Sequence, residues 1–70
     1  MNFSKALDYL FLGNRIRRQK WKEGRFCEAI NSNTHEITVP QIVMTTPENE
    51  RGVYTPSQCE IFALDWELKK

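Results

Sequence analysis

The sequence has few of the residues that make small proteins rigid or reactive: two cysteines, one histidine and three isolated glycines. Cys27 and Cys59 stand in no Cys-x-x-Cys or Cys-x-x-His context, so their spacing does not resemble a zinc site. The glycines form no phosphate-binding loop, and there is no nucleophile elbow or metalloprotease helix. His35 lies in a turn-rich stretch, where a single histidine is more often a surface residue than a general base. We therefore expect no catalytic residue, no metal and no cofactor, and a protein that is not an enzyme.

Long apolar runs and a large net charge are also missing. No stretch approaches the ~20 apolar residues that a membrane span needs, and the amino-terminal segment is amphipathic, unlike a secretion signal. This pattern predicts a reducing, cytoplasmic environment, no membrane partner and two ordinary buried thiols. The formal net charge of +1 argues against a generic polyanion binder, so nucleic acid is not the expected partner.

Seventy residues predict one domain, 1–70. A chain this short buries only roughly 60–65% of its unfolded surface. A deep pocket is hard to build inside one such subunit, whereas a site between two copies is easier.

A helical period opens the chain. Apolar residues recur at the spacing of one helix face, with Asn2 as N-cap and Gly13 at the carboxyl end. The residues of this face are Phe3, Ala6, Leu7, Leu10 and Phe11.

After Gly13 the helical spacing of apolar residues ends, and the residues that follow alternate between two faces as in a β-strand. In the predicted strand 15–18, Ile16 and Arg18 share a face, and an inward-facing Arg18 would need a partner. Pro40 indicates an edge strand or a bulge. The predicted elements that follow are a turn at 22–25, a strand at 26–30, a turn at 31–34, a β segment at 36–45 and a polar loop at 46–52.

Ser57 and Glu60 fit a capping box that begins a short helix running to about Ala63. Leu64, Trp66 and Leu68 share one face of a closing strand. The predicted order is α-β-β-β-α-β. The fold class is α+β, with the amino-terminal helix packed on a small antiparallel sheet and the short second helix before the last strand.

The basic residues are concentrated in one segment. Six of the ten Lys and Arg residues lie between positions 15 and 25, interleaved with Trp21. Arginine matches phosphate oxygens and an aromatic face can stack on a base, so the segment suits a phosphorylated, base-bearing ligand. A solvated basic edge with Trp21 in the core fits equally well, and the pattern does not separate a polynucleotide from a small nucleotide.

Two other polar groups each have two interpretations. Ser57 could place free backbone N–H groups near an anion, although a plain structural cap is favoured for this residue. Asp65 and Glu67 could pair as carboxylates, but a solvated strand edge is the more ordinary outcome.

Taken together, these residues resemble a family of small phage proteins, long known as a domain of unknown function, that includes the Thoeris anti-defence sponge of the second type. The resemblance covers most of the chain, and its closing segment is the most specific part. The matching features are Met1-Asn2-Phe3 with Ala6-Leu7, Gly13, Ile16-x-Arg18-x-x-Trp21, Tyr54-x-Pro56-Ser57-Gln58 and Ala63-x-Asp65-Trp66-Glu67. The chain is short for the family, and its segment 27–52 is compressed.

The resemblance implies a phage anti-defence protein of the host cytoplasm. It implies binding of a cyclic ADP-ribose isomer made by Thoeris enzymes, a cyclic oligonucleotide of the CBASS system, or both, without cleavage. It also implies a homo-oligomer, a dimer or tetramer, with ligand pockets between subunits.

The same resemblance implies roles for particular residues. Trp21 or Tyr54 would stack on a base and Arg18 would bind a phosphate. Ser57 and Gln58 would hydrogen-bond phosphate or ribose, and Asp65 would accept from ribose hydroxyls. Phe3, Leu7, Leu10 and Trp66 would pack in the core or an interface.

Two alternatives come from the basic 15–25 segment. The chain could be a phage protein that binds nucleic acid, for which steep salt dependence would be the sign. It could instead inhibit a host protein directly, with no small ligand. An enzyme that degrades the signal is the least expected, for want of a catalytic constellation.

Overall fold

The computed structural model describes residues 1–34 and 37–69. Two helices and five strands follow one another in the order α1, β1, β2, β3, β4, α2, β5. Their bounds are α1 Phe3–Phe11, β1 Ile16–Arg18, β2 Phe26–Thr34, β3 Ile37–Thr45, β4 Arg51–Val53, α2 Gln58–Ile61 and β5 Trp66–Leu68. The α+β prediction is confirmed, with one more strand than expected.

The first helix begins and ends as its sequence predicts. The Asn2 side chain accepts a hydrogen bond from the Lys5 backbone N–H at 2.9 Å, which satisfies one of the unpaired donors of the first turn. Gly13 follows the last turn with φ of +94°, a left-handed conformation that glycine adopts without a Cβ clash. Ala6 and Leu10 are buried on the apolar stripe of this helix.

All five strands pair antiparallel in one sheet of order β4-β3-β2-β1-β5. Helix α1 packs against β5, β1 and β2. We call the covered side of the sheet the helix face and the opposite side the far face. Ile16 pairs with Cys27 and Leu68 on the helix face, so the residues on either side of Ile16 point to the far face.

The core lies between α1 and the helix face. Its fully buried members are Ala6, Leu10, Ile16, Cys27 and Trp66. Ile16 faces inward and is 1% exposed, which is the condition under which alternation points Arg18 inward as well. Phe3 and Leu7 pack partly buried against this cluster, while Leu10 and Trp66 belong to it.

The predicted turn at 31–34 is wrong, because these residues extend β2 to Thr34. Their backbones pair with β3 from Asn31↔Pro40 to Thr34↔Ile37, and a continuous ladder overrides the turn preference of Asn and Ser. Pro40 lies beyond the reach of β4, which pairs only with 43–45, so this part of β3 is an edge and tolerates the missing donor. His35 and Glu36 lie outside the described residues.

The predicted loop at 46–52 is shorter than expected. Arg51 and Gly52 join Val53 in β4, which pairs with the end of β3. Leu64, predicted to share one face of the closing strand with Trp66 and Leu68, precedes β5 and is 77% exposed. The expectation of two buried thiols is half right: Cys27 is buried and Cys59 is exposed. No helix in the described residues has the length and apolar character to cross a membrane.

Candidate functional site

A hydrogen-bonded ion pair lies where β1 ends. Arg18 shares the helix face with Ile16 and pairs in register with Trp66. Its Nε donates to Asp65 Oδ1 at 2.8 Å, with the two side chains 11% and 29% exposed. The prediction that an inward-facing Arg18 has a partner is confirmed, and the partner is another predicted site residue.

This pair fixes the charge state of Asp65. The hydrogen bond from Arg18 lowers the pKa of Asp65, against a smaller opposing effect of burial. Asp65 is therefore a carboxylate at neutral pH and accepts hydrogen bonds. Among the described residues, the Arg18 side chain donates a hydrogen bond only from Nε, so its terminal nitrogens keep donors for another group.

An aromatic group adjoins the pair through Trp66, the register partner of Arg18. Trp21 packs edge-on against Trp66 at 5.4 Å between ring centroids and against Tyr54 at 6.1 Å. Trp66 is buried, and its Nε1 donates to the Glu60 carbonyl oxygen at 2.9 Å. Trp21 is only partly buried, so it packs on the core and still presents part of its ring to the surface. The core interpretation of Trp21 therefore holds for the packed part of its ring, and stacking on a ligand stays a prediction.

Glu60 connects α2 to this group and was not singled out as a site residue. Burial is the main cause that raises the pKa of Cys27 to about 12, and the charge of Glu60 adds to this rise. Burial is also the main cause that raises the pKa of Tyr54, and Glu60 raises it further. The buried Tyr54 hydroxyl nevertheless makes no hydrogen bond of good geometry within the described residues. The thiol of Cys27 and the hydroxyl of Tyr54 are therefore both neutral at pH 7.

Ser57 serves as a structural cap. Its hydroxyl accepts from the Glu60 backbone N–H at 3.3 Å and lies 3.4 Å from Glu60 Oε1, which also faces the Ser57 N–H. The predicted capping box is confirmed, although α2 ends at Ile61. Gln58, the first residue of α2, is exposed.

An open cleft of about 570 Å³ lies along β4. Of the predicted site residues, only Tyr54 borders it. The remaining lining residues are Met44, Thr46, Glu50, Arg51, Gly52, Val53 and Thr55. Arg51 brings positive charge to this cleft, and no periodic pattern in the sequence could have indicated it.

Most of the predicted site residues are thus gathered at one end of the helix face. We call this group the Arg18 cluster; its members are Arg18, Trp21, Tyr54, Glu60, Asp65 and Trp66. Ser57 joins it through Glu60, while Gln58 is exposed on the first turn of α2. Arg25 lies nearby, with Nη1 3.8 Å from Met44 Sδ. Among residues 1–34 and 37–69, no three His, Cys, Asp or Glu side chains are placed to hold a metal ion.

The fold and this cluster define a class: a small α+β domain with a cation, a carboxylate and partly exposed aromatic rings on the covered face of its sheet. The sequence model of one family, Tad2-like, described as the Thoeris anti-defense 2-like domain, matches residues 1–69. The chain belongs to this family, and the expected resemblance is confirmed. No curated protein matches the chain. Membership gives it a phage anti-defence role directed at Thoeris immunity.

Proposed function

We propose that this protein binds a cyclic nucleotide-derived immune signal and holds it without cleaving it. The observation that carries the proposal is the largely buried Arg18–Asp65 pair, with the partly exposed Trp21 bonded next to it through its N–H to the Arg18 carbonyl oxygen at 3.0 Å. A phosphate, a ribose and a base need a cation, a hydrogen-bond acceptor and an aromatic surface within one small volume. The anti-defence family supplies the biological context, in which an immune signalling molecule is the target.

Each member of the pair has a defined task in this proposal. The terminal nitrogens of Arg18 donate to a phosphate, and Asp65 accepts from ribose hydroxyls. Because Asp65 already holds Arg18 Nε, both groups are oriented before the ligand arrives, which reduces the entropy lost on binding. Trp21 supplies the stacking surface, with Tyr54 behind it. The signal is a cyclic ADP-ribose isomer of Thoeris, a cyclic oligonucleotide of CBASS, or both, met in the host cytoplasm.

The protonation states around the site support sequestration over cleavage. Nucleophilic attack by cysteine needs a thiolate, and burial raises the pKa of Cys27 to about 12. General base catalysis works best with a pKa near the working pH, whereas Arg18 lowers that of Asp65 below its ordinary acidic value. The groups of the Arg18 cluster are therefore suited to hold a ligand and poorly suited to break one.

Exposed apolar residues support a homo-oligomer. Seven large apolar side chains are at least 38% exposed in the described chain, which is a high number for so small a surface. Phe11 and Leu12 lie at the end of α1, while Ile61, Phe62 and Leu64 lie at and after α2, beside the Arg18 cluster. We propose that a second copy covers the α2 group and adds a wall to the ligand site, as a dimer or a tetramer.

Calorimetric titration tests the binding proposal. The purified protein is titrated with cyclic ADP-ribose isomers and with cyclic di- and trinucleotides. We expect saturable binding of one class and at least about a tenfold loss in Arg18→Gln, since a hydrogen bond to a charged group contributes about 1.5–3 kcal/mol. Lys5→Gln, which removes one exposed charge from α1, serves as the matched control and retains binding.

Recovery of the ligand tests the absence of cleavage. After incubation and heat denaturation of the protein, the released ligand is expected to be chemically unchanged. A hydrolysed product would make the protein an enzyme. Absence of heat and of any thermal shift with every ligand would overturn the sequestration proposal and leave direct inhibition of a host protein as the alternative.

A further inference from the structure

The fold divides the basic 15–25 segment between the two faces of the sheet. Arg18 lies on the helix face with Ile16, while Arg15 and Arg17 point to the far face by strand alternation. Phe26 lies on the far face because it is next to Cys27, which is on the helix face. Arg51 of β4 lies on the far face too, because it pairs with Thr45, and Thr45 pairs with Phe26. Lys69 joins it after β5, where its N–H bonds to the Arg15 carbonyl oxygen at 2.9 Å. The far face therefore collects cations that are distant in sequence.

Two arginines on the far face share one carboxylate. Arg15 Nε lies 3.3 Å from Glu28 Oε2, and Arg51 Nη2 lies 2.9 Å from Glu28 Oε1. Each arginine side chain is 53% exposed, while that of Glu28 is 25% exposed. Glu28 holds both guanidinium groups in place, and one negative charge cannot neutralise the two.

Two of the cations lie over the aromatic ring of Phe26. The guanidinium carbon of Arg15 lies 4.7 Å from the ring centroid, and Lys69 Nζ lies 5.1 Å from it. A guanidinium held over an aromatic ring and hydrogen-bonded to a carboxylate has a fixed plane, and such a plane can stack on a nucleobase through its exposed side. Arg15 thus combines a phosphate-binding charge with a stacking surface.

The remaining arginine of this face is already neutralised. Arg17 lies 3.3 Å from a Glu23 carboxylate oxygen and 3.7 Å from one of Glu67, and its Nη2 donates to the Trp21 carbonyl oxygen at 2.6 Å. The carboxylates beside it repel phosphate. The cations open to an anion are therefore Arg51, Arg15 and Lys69. They come from β4, from the residue before β1 and from the residue after β5, and their charged groups converge on Glu28 and Phe26 of β2.

We propose that the far face is a second ligand surface, separate from the Arg18 cluster, which binds single-stranded nucleic acid. Three cations that converge from different strands on Glu28 and on the ring of Phe26 offer a nucleotide chain both phosphate contacts and a stacking surface. Stacking on Arg15 requires an unpaired base, which selects a single strand over a duplex. The near-neutral net charge does not oppose this, because the Arg51–Glu28–Arg15–Lys69 group alone carries an excess of two positive charges. The proposal is independent of the proposed signal binding.

Fluorescence anisotropy with short labelled oligothymidylate and oligouridylate tests this proposal. We expect saturable binding that weakens with salt, with a log–log slope of about −2 for contacts to three phosphates of a single strand. Arg15→Gln and Arg51→Gln should each weaken binding about three- to tenfold and reduce the slope by about 0.7. Lys5→Gln removes a charge from α1 on the other side of the sheet, so its affinity should stay within about twofold.

Two results would overturn the proposal. One is no anisotropy change up to about 100 µM protein at low salt, which is the weak end of non-specific affinities. The other is equal weakening by Lys5→Gln and Arg15→Gln, which would mean diffuse attraction without a surface. Failure here is distinguishable from failure of signal binding, because Arg15→Gln is expected to leave the calorimetric titration unchanged and Arg18→Gln to leave oligonucleotide binding unchanged.

Discussion

At the residue scale, Arg18 shows what a local sequence pattern can predict and what it cannot. Alternation around Ile16 indicated that Arg18 points inward and needs a partner, and this is confirmed. The sequence could not join Arg18 to Asp65, because the two are 47 residues apart and meet only when β5 pairs with β1. The sequence indicates Glu60 only as a capping residue, because its effect on the pKa values of Tyr54 and Cys27 depends on tertiary packing.

Replacing Asp65 should change the acid stability of the protein. Because folding lowers the pKa of this carboxyl, its stabilising effect is complete above the unfolded pKa of ~3.9 and is lost as pH falls through the folded pKa. We expect Asp65→Asn to reduce the free energy of unfolding by about 1–2 kcal/mol at pH 7. The difference from the unmodified protein should shrink below about pH 4.

Urea denaturation at a series of pH values measures this effect. Glu23→Gln is the control, because this carboxylate is 94% exposed and its ion pair contributes little. A constant difference between the Asp65 variant and the unmodified protein down to pH 2 would contradict the role of the Arg18 hydrogen bond.

The two cysteines should react very differently. Cys59 is exposed, while Cys27 is fully buried with its pKa raised to about 12. Iodoacetamide at pH 8 is expected to add one group to the folded chain and two in denaturant, as counted by mass spectrometry. Cys59→Ser should leave the folded chain unmodified. Rapid modification of Cys27 in that variant would show that the core opens more readily than its packing implies.

At the scale of elements, the parts with strong local signals were predictable. The period and caps of α1 and the capping box of α2 are confirmed. The three-residue strand β4 has no signal of its own, because Arg-Gly-Val is short and polar, and only pairing with the end of β3 makes it a strand. Residues 31–34 are also polar, and they belong to β2 only because they pair with β3.

The capping box gives a test of whether Ser57 is a cap or a ligand residue. Ser57→Ala removes the acceptor for the Glu60 N–H and should lower the free energy of unfolding by about 1 kcal/mol. Gln58→Ala, on the exposed first position of α2, should change it by less than about 0.5 kcal/mol. Equal stability of the two variants, measured by thermal denaturation, would show that the Ser57 cap does not stabilise the fold.

The outer parts of β2 and β3 form a two-stranded ribbon, residues 30–34 paired with 37–41. A pair of strands without further neighbours is only marginally stable. Hydrogen exchange of the ribbon amides should therefore be faster than that of β1 and β5, which pair next to the core. Equal protection in the monomeric protein would mean that the ribbon is stabilised by contacts beyond its own ladder.

At the scale of the whole molecule, the distribution of apolar surface was the least predictable property. The residues of α1 follow one apolar stripe, yet Phe11, at the end of that stripe, is 64% exposed. Leu64, which alternation places on one face of the closing strand with Trp66, is 77% exposed, and Phe62 near it is 78% exposed. Burial depends on where the chain turns after each short element, which local patterns do not fix.

Self-association should depend on this apolar surface. We expect the average mass in sedimentation equilibrium to exceed one chain and to rise with concentration. Phe62→Ser combined with Leu64→Ser should shift the mass toward 8.3 kDa without loss of fold, because both side chains are exposed in the single chain. Leu12→Ser provides a comparison at the other apolar group, and a monomeric unmodified protein would contradict the proposed assembly.

The ribbon also sets a rule for changes of chain length. Because β2 and β3 pair residue for residue, the core register at Cys27↔Met44 is kept only when both strands lengthen or shorten together. An insertion of one residue in one strand would turn every following side chain to the opposite face or require a bulge. Viable insertions and deletions in this hairpin should therefore come in even totals, shared equally by the two strands, so that the hairpin can vary in reach while the Arg18 cluster stays in place.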